Sequence, residues 1–191
     1  MNAPVPARSR SLWNIVIVLL AAVAVSAVAV SLMYRTPLQT GAMGKVGLDS
    51  AMLDAARPGF TLRDPDGIPR TVAAWDGKVL VLNFWATWCQ PCLREIPAFN
   101  RLQREHGDEG LQFVGIAIDD PDAVREFLKT TEVSYPVLSG QQDAIEVAQR
   151  YGNDVGILPY TAIIDRTGTI RFIQFGELQE TLARDVIRPL L

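Results

Sequence analysis

The chain has 191 residues, room for one domain plus a tail. Its 18 Lys and Arg against 21 Asp and Glu give a net charge of −3 with no basic block, which argues against nucleic acid as a partner. Two cysteines and one histidine fall short of the four N or S ligands of an ordinary zinc site, and no metal site is expected.

Ile15 to Met33 is a 19-residue run whose only polar members are Ser26 and Ser31. As a helix it would be about 28 Å long, close to the roughly 30 Å hydrocarbon core of a bilayer. Arg8 and Arg10 precede it and Arg35 is the nearby basic residue after it, a bias that places the N-terminus in the cytoplasm. Ala27-Val28-Ala29 also fits a cleavage site, so a removed leader is the alternative to an uncleaved anchor. Both put residues 34–191 on the extracytoplasmic side. The expected organisation is a cytoplasmic tip and transmembrane anchor over 1–33, a linker over 34–55 and a globular domain over 56–191. The linker carries Thr36-Pro37, Gly41, Gly44 and Gly47, with a short helix expected near Ser50 to Ala56.

The domain opens with Gly59-Phe60-Thr61-Leu62, and Asp64-Pro65-Asp66-Gly67 is a turn signal. Ile68 to Trp75 is expected to return as a second strand. Asp64-x-Asp66 does not complete a calcium loop, because Gly67 is misplaced and Trp75 stands where a Glu ligand belongs.

Lys78 to Cys92 is the informative stretch. Val79-Leu-Val-Leu-Asn83-Phe84-Trp85 has strand composition, and the sequence from Cys92 to Leu102 has apolar residues at helical spacing. The two cysteines, Cys89 and Cys92, therefore sit where a strand turns into a helix. Free N–H groups and the dipole at a helix start favour an anion, hence the thiolate of Cys89. In Cys-x-x-Cys sites of this kind the nucleophilic thiol has a pKa of roughly 3.5 to 7, against about 8.5 for a free cysteine. Pro91, with a fixed φ and no N–H to lose, is tolerated in the first turn. The expected chemistry is exchange, with Cys92 resolving the mixed disulfide formed at Cys89. Glu95, three residues past Cys92, falls on the same helix face. If buried, its pKa would rise and it could move the proton of Cys92; the spacing alone fits a surface glutamate beside Arg94 better.

The helix should run to about His106, contain Pro97 and end at Gly107. Leu111 to Ile118 reads as a central strand. Asp120 is the expected N-cap of the next helix, with Pro121 at its first position, and Asp119 reads as part of a solvated turn. Pro136 puts Ser134 to Leu138 at a sheet edge or outside regular pairing. A helix from Asp143 to Tyr151, a strand ending near Asp165, a hairpin partner from Thr169 to Phe175 and a closing helix over Glu177 to Leu191 complete an α/β pattern. It suits a mixed central sheet with helices on both faces.

The decapeptide Asn83-Phe84-Trp85-Ala86-Thr87-Trp88-Cys89-Gln90-Pro91-Cys92 resembles the active-site motif of thioredoxin-fold proteins. Its continuation Leu93-Arg94-Glu95-Ile96-Pro97 is similar to the TlpA/ResA branch, membrane-anchored thiol–disulfide oxidoreductases of bacteria with a redoxin or AhpC/TSA-related domain. The resemblance runs from about Gly59 to the C-terminus and implies a thioredoxin-like fold. It departs from thioredoxin in having Asn83 where thioredoxin has a buried Asp, and it implies the buried role for Glu95. It also implies a cis peptide at Leu158-Pro159, facing the cysteines and offering backbone to a substrate chain. Trp88, Pro91, Leu158 and Pro159 are the expected substrate contacts, and Trp85 is expected in the core. The implied activity is reduction of protein disulfides in cytochrome c or metalloprotein maturation. The implied partners are protein thiol or disulfide substrates and a membrane thiol-transfer electron donor. No cofactor beyond a redox-active Cys89–Cys92 disulfide is expected, and a monomer is. The alternatives are a copper metallochaperone using the same thiols, which suit Cu(I), and a thiol peroxidase.

Overall fold

Val79-Leu-Val-Leu-Asn-Phe-Trp85 is buried along its whole length, as a strand covered on both faces must be. In the computed structural model it is the third of seven strands. The structure describes residues 52–191 together with Asn14, Ile17, Leu19 and Leu20. The chain divides into two units, 1–45 and 46–191, and the sheet with its helices belongs to the second. Among the described residues no helix is long and apolar enough to cross a membrane. The anchor expected over 15–33 and most of the linker lie outside the described residues.

The strands are β1 (Thr61–Arg63), β2 (Pro69–Thr71), β3 (Val79–Trp85), β4 (Leu111–Ile118), β5 (Val137–Gly140), β6 (Tyr160–Ile164) and β7 (Ile170–Phe175). The helices are α1 (Gln90–His106), α2 (Pro121–Thr130), α3 (Gln142–Arg150) and α4 (Glu180–Ile187). One sheet holds all seven strands in the order β2-β1-β5-β4-β3-β6-β7. β3, β4 and β5 run parallel, with Asn83 beside Gly115 and Gly115 beside Val137. β6 is antiparallel to β3, pairing Asn83 with Thr161, and β7 is antiparallel to β6.

Alternate side chains of β3 face opposite ways. Leu80, Leu82 and Phe84 pack with Phe60, Leu62, Trp75 and, from α3, Ala144, Val147 and Ala148. Val79 and Val81 pack with Phe99 and Leu102 of α1 and Ala183 and Ile187 of α4. Trp85, on that second face, packs with Ile96 of α1 and Val124 of α2. Helices therefore cover both faces of a mixed sheet, as the alternation of elements predicts. The carboxyl ends of the parallel strands open onto the start of α1, the usual place for a site in open α/β sheets.

Four expectations are corrected. Ser50 to Ala56 is not helical where it is described: Met52–Asp54 is a turn, and Ala56 makes a single bridge to Thr169. The expected strand Ile68 to Trp75 is a strand only over Pro69–Thr71, because Val72–Trp75 coils into a 3-10 turn that buries Val72 and Trp75. Of the two places expected for the Pro136 segment, the edge is the one corrected, since Pro136 itself lies outside regular pairing. It stops just short of β5, which lies between β4 and β1, and its carbonyl accepts from Gly115. The closing helix begins at Glu180 rather than Glu177 and ends in a 3-10 turn over Arg188–Leu190.

Candidate active site

The site is built at the junction of β3 and α1. Cys89 is the N-cap residue of α1, in extended conformation, and Pro91 occupies the first turn. The carbonyl of Cys89 accepts from Leu93, closing that turn. Cys89 and Cys92 form a disulfide with Cα atoms 5.3 Å apart. Both are buried, Cys92 to 1% exposure. They belong to a cluster with Trp85, Ala86, Ile96, Ala117, Val124 and Val137, against which Leu158 packs. Leu158-Pro159 is a cis peptide, and the Pro159 carbonyl accepts from Gly176. The fold thus brings Leu158 from the α3–β6 connection onto the apolar surroundings of the two cysteines, 66 positions along the chain from Cys92. Trp88 projects into solvent at 67% exposure, whereas Trp85 is buried and packs against Phe127 at a ring separation of 5.2 Å.

Glu95 is 2% exposed. Burial pushes its carboxyl up to about 8 from 4.5, since desolvation disfavours the charged form. Two donors work against that rise: the Leu178 backbone N–H to Oε1 and the Asn83 amide to Oε2, at 3.3 Å. Glu177 adds a smaller upward push and Arg94 a smaller downward one. Asn83 also donates to Thr161 Oγ1 at 3.0 Å. Asn83, next to Glu95 rather than merely in place of an aspartate, and Thr161 and Leu178 are site residues that the sequence reading did not find. Asn83 and Thr161 sit on adjacent strands in register. Leu178 contributes through its backbone, which leaves no mark in the sequence. Near neutral pH, Glu95 is largely an uncharged acid that can give a proton and, once ionised, take one back. A disulfide that can open to two thiols, beside a proton carrier in a dry site, is an arrangement for thiol–disulfide exchange.

A family model described as the AhpC/TSA family matches residues 53–173. The chain belongs to the AhpC/TSA family. One relative is the thiol-disulfide oxidoreductase ResA of Geobacillus thermodenitrificans, 34% identical over 122 residues, which are 63% of this chain and 68% of that one. The ResA of Bacillus subtilis is 29% identical over 147 residues, covering 75% of this chain and 80% of its own. A thiol:disulfide interchange protein of the thioredoxin family from Chlorobium tepidum has a similar solved structure, with a TM-score of 0.63 and 30% identity. It covers 71% of this chain and 94% of its own. The AhpC/TSA chain therefore has the thioredoxin-like fold that its motif implies, and the resemblance to the ResA branch holds.

Proposed function

We propose that this AhpC/TSA-family chain is a thiol–disulfide oxidoreductase that reduces disulfides of other proteins through Cys89 and Cys92. The observation that carries the reading is the Cys89–Cys92 disulfide in the first turn of α1, one turn from the buried Glu95. In the reduced protein the Cys89 thiolate attacks one sulfur of a substrate disulfide and releases the other as a thiolate, which takes up a proton. Glu95, once it has given up its own proton, takes that of the Cys92 thiol, and the Cys92 thiolate attacks the Cys89 sulfur and breaks its bond to the substrate sulfur. The substrate leaves with both sulfurs reduced and the Cys89–Cys92 disulfide is restored. The pair itself carries the two electrons, so the reading needs no separate cofactor. Trp88, Pro91, Leu158 and Pro159 receive the substrate, whose chain lies along the backbone at Leu158-Pro159.

The apolar run of Ile15 to Met33 supports an anchored protein with its redox domain on the extracytoplasmic side, where unprotected dithiols become oxidised. Reducing power then has to come through a membrane thiol-transfer donor. Substrates of the class suggested by the family resemblance are cysteines of apocytochrome c or of other metalloproteins awaiting their cofactor. The test is turbidimetric reduction of insulin with dithiothreitol. Wild type should accelerate it at least about tenfold and Cys89→Ser should not; equal rates would refute the reading. Cys92→Ser should retain substrate proteins as mixed disulfides on Cys89, recoverable from cells by mass spectrometry.

A further inference from the structure

The two neighbouring acidic residues at the end of β4 have different surroundings. Asp120 caps α2, its side chain accepting from the Asp122 N–H. Asp119 turns the other way. Its Oδ2 accepts from both the backbone N–H of Thr87, at 2.9 Å, and the Thr87 hydroxyl, at 2.6 Å. Its Oδ1 accepts from the Asp120 N–H at 2.8 Å, and its own N–H donates to the Gly140 carbonyl at 3.0 Å. The half-buried carboxylate thus ties the end of β4 to the turn between β3 and α1, while the backbone N–H of the same residue ties it to β5.

That turn presents the nucleophile. Thr87 lies between Ala86, whose carbonyl accepts the Cys89 N–H at 3.1 Å, and the exposed Trp88. Other charged groups at this end of the sheet include Glu95 on α1, Asp120 and Asp122 at the start of α2, Asp143 against Gly140 at the start of α3, and the Arg94–Glu177 pair beside Glu95. Among the described residues, Asp119 is the charged side chain hydrogen-bonded to the turn itself.

We propose that Asp119 is a positioning residue of the redox site: through Thr87 it fixes the turn that sets Cys89 at the start of α1, and its negative charge opposes the Cys89 thiolate. This rests on the exchange chemistry proposed above. The helix start stabilises the thiolate, and a nearby carboxylate works against it. A thiolate held less firmly leaves the dithiol form less stabilised, which makes the pair a better reductant. Asp119, bonded to the turn from the end of β4, therefore holds the couple on its reducing side.

Three variants separate position from charge. Asp119→Asn keeps the size and an acceptor for Thr87 but removes the charge. Asp119→Ala removes both. Thr87→Val removes one donor and leaves the charge. Each full-length reduced protein is titrated by the pH dependence of Cys89 alkylation with iodoacetamide, equilibrated with glutathione, and assayed for insulin reduction, with thermal unfolding as the check on folding. Asp119→Asn should raise Cys89 alkylation at pH 6 by about threefold or more and shift the glutathione equilibrium toward the dithiol by a similar factor. Asp119→Ala should do the same and also slow insulin reduction about tenfold as the turn loosens. Thr87→Val should slow insulin reduction by about threefold while leaving the alkylation profile in place. Folded Asp119 variants that match wild type in alkylation profile and equilibrium would overturn the proposal. Should they not fold, a Thr87→Val protein as fast as wild type would overturn it. If wild type itself shows no exchange at Cys89, the functional reading fails, and this inference fails with it.

Discussion

At the scale of single residues, Glu95 connects the sequence to a measurable pH dependence. Its carboxyl titrates near 4.5 in an unfolded chain and near 8 in the fold, pushed up by burial. Below pH 4.5 both states hold the proton and folding bears no penalty. Between 4.5 and 8 the folded state binds more protons than the unfolded one. Stability therefore falls with rising pH by up to about 1.4 kcal/mol per unit, and levels off above 8. Glu95→Gln removes that slope. In urea denaturation of the oxidised proteins, the stability difference should move in favour of the variant by about 2–4 kcal/mol between pH 5 and pH 8. A constant difference would mean that the folded carboxyl is already ionised at pH 5. The same substitution should lower the insulin reduction rate about a hundredfold and remove an inflection near pH 8 from its profile. The sequence made Glu95 a candidate because a spacing of three puts it above Cys92. The family resemblance implied its burial, but nothing in the sequence named its partners. The donors come from Asn83, 12 positions back, and from the backbone of Leu178, 83 positions on. Asn83 itself is held by Thr161, 78 positions away. Such partners meet only once the sheet has formed.

At the scale of elements, the signals that are local in the sequence were legible. β4 runs over Leu111–Ile118, and Asp120 and Pro121 begin α2 as their types predict. The cysteines could be placed at a helix start because a strand pattern gives way to a helical one across them. What local pattern does not encode is the order of strands in the sheet. Pro136 reads as a sign of an edge or of unpaired chain; it is unpaired in the ladder, yet the strand it precedes is an internal one. α1 is also tied to the segment before β5 by Asn100, which is buried. Its amide donates to the Glu132 carbonyl at 2.8 Å, and its Oδ1 accepts from the Ser134 N–H at 2.8 Å and from the Ser134 hydroxyl at 2.9 Å. Nothing in the sequence marks Asn100, because an asparagine in a helix is ordinarily a solvated one. Asn100→Ala strands those groups and should cost about 2–3 kcal/mol in urea denaturation. A loss below about 0.5 kcal/mol, the scale of an ordinary surface change, would contradict the assigned role.

At the scale of the whole molecule, the proposed anchoring of the redox domain through the N-terminal apolar run can be tested directly. In a host whose envelope can be fractionated, the full chain should sediment with membranes and resist extraction by alkaline carbonate. A chain beginning at Val46 should be soluble and keep its insulin-reducing activity. Loss of that activity in the folded fragment would show that the first unit takes part in the chemistry. The central claim is that Cys89 and Cys92 form a reducing couple. It is tested most directly by the reduction potential of the pair, from mass-spectrometric quantification of dithiol and disulfide at equilibrium with dithiothreitol or glutathione. The account predicts a potential near that of thioredoxin, about −270 mV; a value near about −120 mV, that of a strong oxidant, would contradict it.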